Sequence, residues 1–245
     1  MMKKESPVSR FVKSFKDYGF AETVLKVLHR LRIISVHHTF EFIFKELEAT
    51  YPSAFQEMVV NINGNENVFI REIKEYELDA LDFVDGMYSL DTFRAHFSKG
   101  MRFFAAFYNN QVVSVNGAHM THANLVYIGM PNIALPKDLA YINCALTSPK
   151  FRSLSIGTKL RDFALSIVQK DGINWIFGAV FIENKKAMVW NLRNGFQYWG
   201  RISYIQLLGR NFWFRRLSPA GRRCRFLFDR VEKMESATLF MEKAL

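Results

Sequence analysis

The chain has 245 residues and a formal charge of +10, with 49% hydrophobic and 15% aromatic residues. That content excludes a disordered chain and allows one large domain, or one domain with extensions. Its two cysteines, Cys144 and Cys224, exclude a disulfide framework and a cysteine-rich zinc site, and point to a reducing cytoplasm.

The N-terminus begins Met-Met-Lys-Lys-Glu-Ser-Pro with no apolar segment behind it, so it does not read as a signal peptide. No apolar run approaches the roughly 18–20 residues that span a bilayer. The charge is uneven. Arg201, Arg210, Arg215, Arg216, Arg222, Arg223, Arg225 and Arg230 stand against Asp229 alone in their stretch. Such a surface favours polyanions, although simple solubility accounts for the charge as a whole.

In chain order, residues 1–50 read as helical and amphipathic. Val8, Phe11, Val12 and Phe15 form one apolar stripe and Val24, Leu25, Leu28 and Leu31 another, with lysines and arginines between them. Two placements compete: a basic segment on a membrane surface, or a helical layer packed on the main domain with its lysines in water. From Ile33 to Phe44 the pattern fits either a helix or a strand. Turn chemistry at Asn61–Asn67 marks a boundary, giving an N-terminal helical extension over 1–66. From Val68 to Ile73 the chain reads as a strand, then Glu77–Asp85 as a helix. A short helix capped by Asp91 carries Phe93 and Phe97. Met101–Tyr108 and Gln111–Ala118 form a hairpin through Asn109-Asn110, since asparagine tolerates positive φ. Leu125–Ile128 and Tyr141–Leu146 read as further strands. The helix after Gly157 has Leu160, Phe163, Ala164, Ile167 and Val168 at helical spacing and stops at Asp171-Gly172. Trp175–Phe181 is a short buried strand, Asn184 caps the next helix, and Gly200–Leu208 is a strand. The mixed order predicts an α/β (α+β) fold, a sheet with helices on both faces.

The stretch Thr147–Leu160 stands out. An apolar strand enters a turn of small and basic residues, and a helix leaves with free backbone N–H groups, a natural seat for phosphate. Within it, Arg152-Ser-Leu-Ser155-Ile-Gly157 resembles the Arg/Gln-x-x-Gly-x-Gly/Ala signature of the GCN5-related N-acetyltransferases, with Pro149 and Phe151 before it. Asn184-Lys-Lys-Ala187 followed by Gly195-Phe196 resembles that family's second element, 27 residues beyond Gly157. The resemblance covers residues 67–210. It implies a GNAT-like mixed twisted sheet, leaving 211–245 as a basic aromatic C-terminal extension. It implies acetyl-CoA, or another short acyl-CoA, as donor, with Leu146, Thr147, Arg152, Ser153, Ser155, Ile156, Gly157, Thr158 and Asn184 as its binding residues. The strands Tyr141–Thr147 and Trp175–Phe181 would splay around the pantetheine arm, and an N–H of the first would polarise the thioester carbonyl.

The sequence departs from that family at two points. Ser155 replaces the first glycine, a small change if its φ is negative. Asn191 stands where members often carry a tyrosine as general acid, so the catalytic acid and base stay unassigned. Tyr198, Glu183 and Asn143 are the nearest alternatives. His119 with His122, and His37 with His38, lack companion ligands, so no metal is expected. Two functions follow from this reading. One is an N-acyltransferase acting on a primary amine, of a small metabolite first and of a protein second. The other is a transferase-like binding module held at a membrane surface or, less readily, on nucleic acid by the aromatic and arginine residues of 211–228.

Overall fold

The computed structural model describes residues 16–31, 34, 36–47, 57–62, 64, 66–81, 88–207 and 210–217. The stripe at Val8–Phe15 and residues 218–245 lie outside them. The elements are α1 (Phe20–Arg30), β1 (Val36–Glu46), β2 (Glu57–Ile62), β3 (Glu66–Glu72), a 3-10 turn (Glu75–Leu81) and α2 (Leu90–Phe97). There follow β4 (Arg102–Tyr108), β5 (Gln111–His119), β6 (His122–Leu125), a 3-10 turn (Val126–Ile128), β7 (Met130–Ala134) and β8 (Leu139–Thr147). A 3-10 turn (Pro149–Phe151), α3 (Ile156–Lys170), β9 (Trp175–Phe181), α4 (Lys185–Arg193), β10 (Gln197–Leu207) and β11 (Arg210–Leu217) complete the order.

Nine strands make one sheet in the order β11-β10-β1-β9-β8-β5-β4-β3-β2. All its pairs are antiparallel except β8 with β9. Alternation sorts the side chains into two layers. On one face Ile43, Phe104, Ala106, Ile142 and Ile176 meet Leu160, Phe163, Ala164 and Val168 of α3. On the other face there are two clusters. Phe40, Phe42, Phe44, Tyr141, Phe177 and Trp199 lie under the β6–β7 hairpin, with Leu125 and Ile128. Phe103, Ala105 and Val115 lie under Leu78, Leu81 and Phe93. The expected α+β sheet with helices on both faces is the one found.

Several expectations change in detail. β1 is a central strand, not part of a helical extension: Phe40, Phe42 and Phe44 alternate into one layer while Glu41 pairs directly with Arg201 of β10. The boundary at 66/67 falls inside the β2–β3 hairpin, and the one at 210/211 inside β11, so the sheet runs across both. Ser89, not Asp91, caps α2, accepting from the Thr92 N–H at 3.2 Å. Val126–Ile128 is a 3-10 turn rather than a strand. The Asn109-Asn110 hairpin has the expected positive φ, 49° and 62°.

The helix α1 is attached by polar contacts as well as by its expected apolar stripe, of which Val24, Leu25 and Leu28 are half-buried. Glu22 and Thr23 are its buried residues. Glu22 lies 3.1 Å from His37 and accepts from the Thr39 hydroxyl at 2.9 Å. Phe20 and Leu31 face outward. The same segment grips the start of α4, through Lys26 to Glu183 at 2.9 Å and Asp17 to Lys185 at 3.0 Å.

Candidate functional site

The site follows from the one parallel pair. β8 and β9 pair from Leu139↔Trp175 to Ile142↔Gly178 and no further. At that point β8 carries a bulge: its register with β5 shifts beside Val115 and Gly117, and Cys144 takes φ 55°. A bulge adds a residue and bends its strand, so residues 143–147 swing away from 179–181. The added residue also resets the alternation. Ile142 lies in the α3 layer, whereas Cys144 and Leu146 belong to the opposite layer.

Thr147 is thereby brought to the start of α3. A Cβ on Gly157 would lie 3.1 Å from Thr147 Oγ1, so glycine permits the close approach of helix and strand. The turn before α3 is left-handed at both Ser153 (φ 67°) and Ser155 (φ 61°). The negative φ expected of Ser155 is therefore not adopted. Ser155 makes no side-chain cap, so the first N–H groups of α3 carry no such partner. The Thr158 hydroxyl accepts from Trp190 Nε1 at 3.4 Å and keeps its own proton to donate. Arg152 Nε is bonded to the Thr147 carbonyl at 3.0 Å.

Around this turn lies an outer cleft of about 700 Å³. Leu146, Thr147, Arg152, Ser153, Ser155, Ile156, Gly157, Thr158 and Asn184 all line it, together with Lys186 and Arg193. Asn184 caps α4 as expected, accepting from the Ala187 N–H at 3.1 Å. Asn116 also lines the cleft, and its Oδ1 is buried without a hydrogen-bond partner. The sequence reading missed it.

Ala145, Leu146, Asn184 and Ala187 are shared with an inner cavity of about 250 Å³. This cavity lies in the gap between β8 and β9 and reaches both faces of the sheet. Ile142, Val180, Arg161 and Asn191 wall it on the α3 side, and Phe40, Tyr88, Tyr127 and Tyr141 on the other. Burial pushes the Tyr88 and Tyr141 phenols well above the ordinary tyrosine value, and the Cys144 thiol up to about 12. Tyr88 donates to Asn143 Oδ1 at 3.4 Å. Among the described residues, neither a carboxylate nor an imidazole lines either space.

The remaining candidates fall elsewhere. Glu183 is exposed and paired with Lys26. Tyr198 lies on β10 opposite Ile43 and lines neither space. His119 is buried, with the His122 ring 6.0 Å away. Among the described residues no group of His, Cys, Asp or Glu is arranged to hold a metal. None of their helices is long and apolar enough to cross a membrane.

No family model and no curated protein sequence matches the chain. Solved structures do. A GCN5-related glucosamine N-acetyltransferase region of a fungal multi-domain GH3 β-N-acetylglucosaminidase superposes with a TM-score of 0.51 at 15% identity, covering 81% of this chain and 23% of that one. A functionally unknown conserved protein from Staphylococcus epidermidis gives 0.48 at 12% identity, covering 76% and 67%. A protein from Novosphingobium aromaticivorans assigned to the GNAT family gives 0.48 at 12% identity, covering 71% and 65%. The chain thus spans about two thirds of each of these two bacterial proteins. The likeness is one of fold, and the fold is that of the GCN5-related N-acetyltransferases.

Proposed function

We propose that the protein is an acyl-CoA-dependent N-acyltransferase that moves an acetyl or other short acyl group to the primary amine of a small metabolite. One observation carries this reading. The parallel pair opens beyond Ile142 and Gly178 into a channel that begins at an uncapped helix N-terminus and ends in an apolar cavity. The N–H groups of Ile156, Gly157 and Thr158, with Arg152, Lys186 and Arg193 around them, suit the pyrophosphate of coenzyme A. The released edges of β8 and β9 supply strand-like partners for the pantetheine amides, and Asn116 adds an acceptor. The thioester would lie in the inner cavity, where an N–H from the unpaired part of β8 polarises its carbonyl.

The acceptor enters on the face that holds Tyr88, Asn124 and Tyr127, between the two apolar clusters. A cavity of about 250 Å³ suits a compact amine; the side chain of a protein amine is the alternative. With no base in the described lining, the amine reacts in its neutral form and releases its proton to water, and positioning supplies the acceleration. A cytoplasmic enzyme fits this chemistry. The competing reading is a non-catalytic domain of the same fold docked at a membrane surface. It draws on the missing base and on Phe212 and Phe214, which are exposed on the edge strand β11.

The test is calorimetric titration with acetyl-CoA, followed by a thiol-release assay over a panel of small amines and lysine peptides. The wild type should bind acetyl-CoA and turn over at least one amine, and Gly157→Leu should lose binding by at least about 100-fold while keeping its fold. Equal binding by the two proteins would remove the cofactor site. Binding without turnover over the whole panel would favour the docking module.

A further inference from the structure

Arg161 is the one charged side chain lining the inner cavity among the described residues. It comes from the middle of α3 and is 3% exposed. Among the described residues no carboxylate lies within ion-pair distance of it. Its guanidinium donates to Asn191 Oδ1, and its Nε is buried without a partner. Asn191 is oriented for this by its own Nδ2, which donates to the Ala187 carbonyl at 2.8 Å. Two aromatic faces hold the cation flat: Trp190, 3.9 Å from the guanidinium carbon, and Phe196, 5.2 Å from it.

A buried charge without a counter-ion is costly, and native interiors avoid it. Among the described residues, nothing packed around the guanidinium neutralises it. α4 offers Trp190 and Asn191, the turn before β10 offers Phe196, and the cavity walls on β8 and β9 offer Ile142, Cys144 and Val180. The neighbouring Asp162 on α3 acts at a distance, and burial raises its own carboxyl pKa. Burial pushes the Arg161 pKa down to about 9, with Asp162 acting in the opposite sense, so the group is still a cation at neutral pH. The structure therefore holds a preformed positive charge in the wall of the otherwise uncharged inner cavity, among the described residues.

We infer that Arg161, oriented by Asn191, is the electrostatic partner of the coenzyme A thiolate expelled during acyl transfer. This rests on the acyl-CoA reading above and deepens it. The amine nitrogen bonds to the thioester carbonyl carbon, and the carbon–sulfur bond breaks with its electron pair on sulfur. The amine's proton passes to water, and the sulfur leaves as an anion. Arg161 neutralises that anion without giving up a proton, so no general acid is required at the sulfur. Tyr88, Tyr141 and Cys144, which also line the cavity, stay neutral near pH 7 because burial raises them. The guanidinium is the group left to stabilise charge there.

The experiment compares coenzyme A with desulfo-coenzyme A, which lacks the sulfur, by calorimetry from pH 6 to 8, where Arg161 keeps its charge. It uses the full chain and the variants Arg161→Met and Arg161→Lys. A cation beside a thiol lowers its pKa, so the wild type should prefer coenzyme A by about tenfold or more at pH 8, with affinity rising with pH. Arg161→Met should bind both compounds equally with no loss of thermal stability, since a buried unpaired charge is exchanged for an apolar chain. Arg161→Lys should recover part of the preference. Wild-type indifference to the sulfur, or a preference that persists in Arg161→Met, would overturn the inference while leaving the cofactor site intact. So would a tenfold wild-type preference for succinyl- over acetyl-CoA that Arg161→Met abolishes, which would assign the cation to an acyl carboxylate. Absence of binding by either compound would remove the acyl-CoA reading and this inference with it.

Discussion

The outer cleft and the inner cavity form one channel but are built by different means. The outer cleft is made of neighbours in sequence. Thr147 to Thr158 supply a turn, two left-handed serines and a helix start, and most of its chemistry is backbone. The inner cavity is made of side chains from distant segments: Phe40, Tyr88, Arg161, Val180 and Asn191. The outer part is open and basic, whereas the inner part is apolar, with Arg161 as its one charged side chain among the described residues. On the proposed acyl-CoA reading, the outer cleft would govern which donor binds, through electrostatics that salt weakens. The inner cavity would govern what happens to the acyl group, through contacts that salt does not reach.

The sharpest way to break this division is the double variant Arg152→Ala/Lys186→Ala. Removing two charge-assisted contacts costs about 3 kcal/mol, roughly 100-fold in acetyl-CoA affinity. The deficit should shrink as ionic strength rises from 50 to 500 mM. A deficit independent of salt would mean that the outer cleft does not work by charge.

A smaller effect tests what supports the inner wall. α1 holds the segment that carries Phe181 and Asn184, and Glu22 fastens α1. Burial raises the Glu22 pKa, but the hydrogen bond and charge of His37, with Thr39 and Lys26, outweigh this and hold the carboxyl below its ordinary value. A depressed carboxylate contributes stability that is present above the unfolded pKa of about 4.3 and is lost as pH falls through the folded one. Wild type should therefore exceed Glu22→Gln by about 2 kcal/mol in urea denaturation at pH 7. The gap should close below about pH 4; a constant gap from pH 7 to 3.5 would show that the charge is not what fastens the helix.

The next effect is smaller and of opposite sign. Ser155 sits in the left-handed region at a cost of about 1 kcal/mol, so Ser155→Gly should raise the melting temperature by roughly 2–4 °C. A lower melting temperature would mean that its side chain carries a contact worth more than the strain. Smallest of all, Cys144→Ala should leave kcat within about threefold, because a thiol pushed up to about 12 cannot form an acyl-enzyme at neutral pH. Loss of activity, or a burst of thiol release from wild type before an amine is added, would point instead to a covalent route.

The difference between the two regions also explains what could be read in the sequence. Arg152–Gly157 and Asn184–Phe196 were legible because a strand–turn–helix and a capped helix announce themselves over a few residues. The sign of φ at Ser155 was not, since serine, unlike glycine, carries no local mark of a left-handed φ. The alternation of Phe40, Phe42 and Phe44 was a usable strand signal, but Ile43 and Val36 blurred it toward a helix. Its position between β9 and β10 depends on partners from 129 (Glu46 to Trp175) to 170 (Val36 to Gln206) residues away in the sequence. Ser89 with Thr92 was a readable cap, obscured by the more acidic Asp91. Arg161 could not have been found by pattern: in sequence it is one basic residue among several on an amphipathic helix. It is buried only because Trp190 and Phe196 close over it.

The central place of β1 has a consequence for how the chain acquires its shape. On the ribosome this segment emerges about 130 residues or more before the two strands that flank it, Trp175–Phe181 and Gln197–Leu207. Its phenylalanines must wait for those strands before they reach the slot that β9 and β10 provide. Contacts of such sequence separation slow folding and lengthen the life of sticky intermediates. Production should therefore depend strongly on temperature and translation rate. An expression design that begins after Glu46 would yield not a trimmed domain but a sheet with a missing plank.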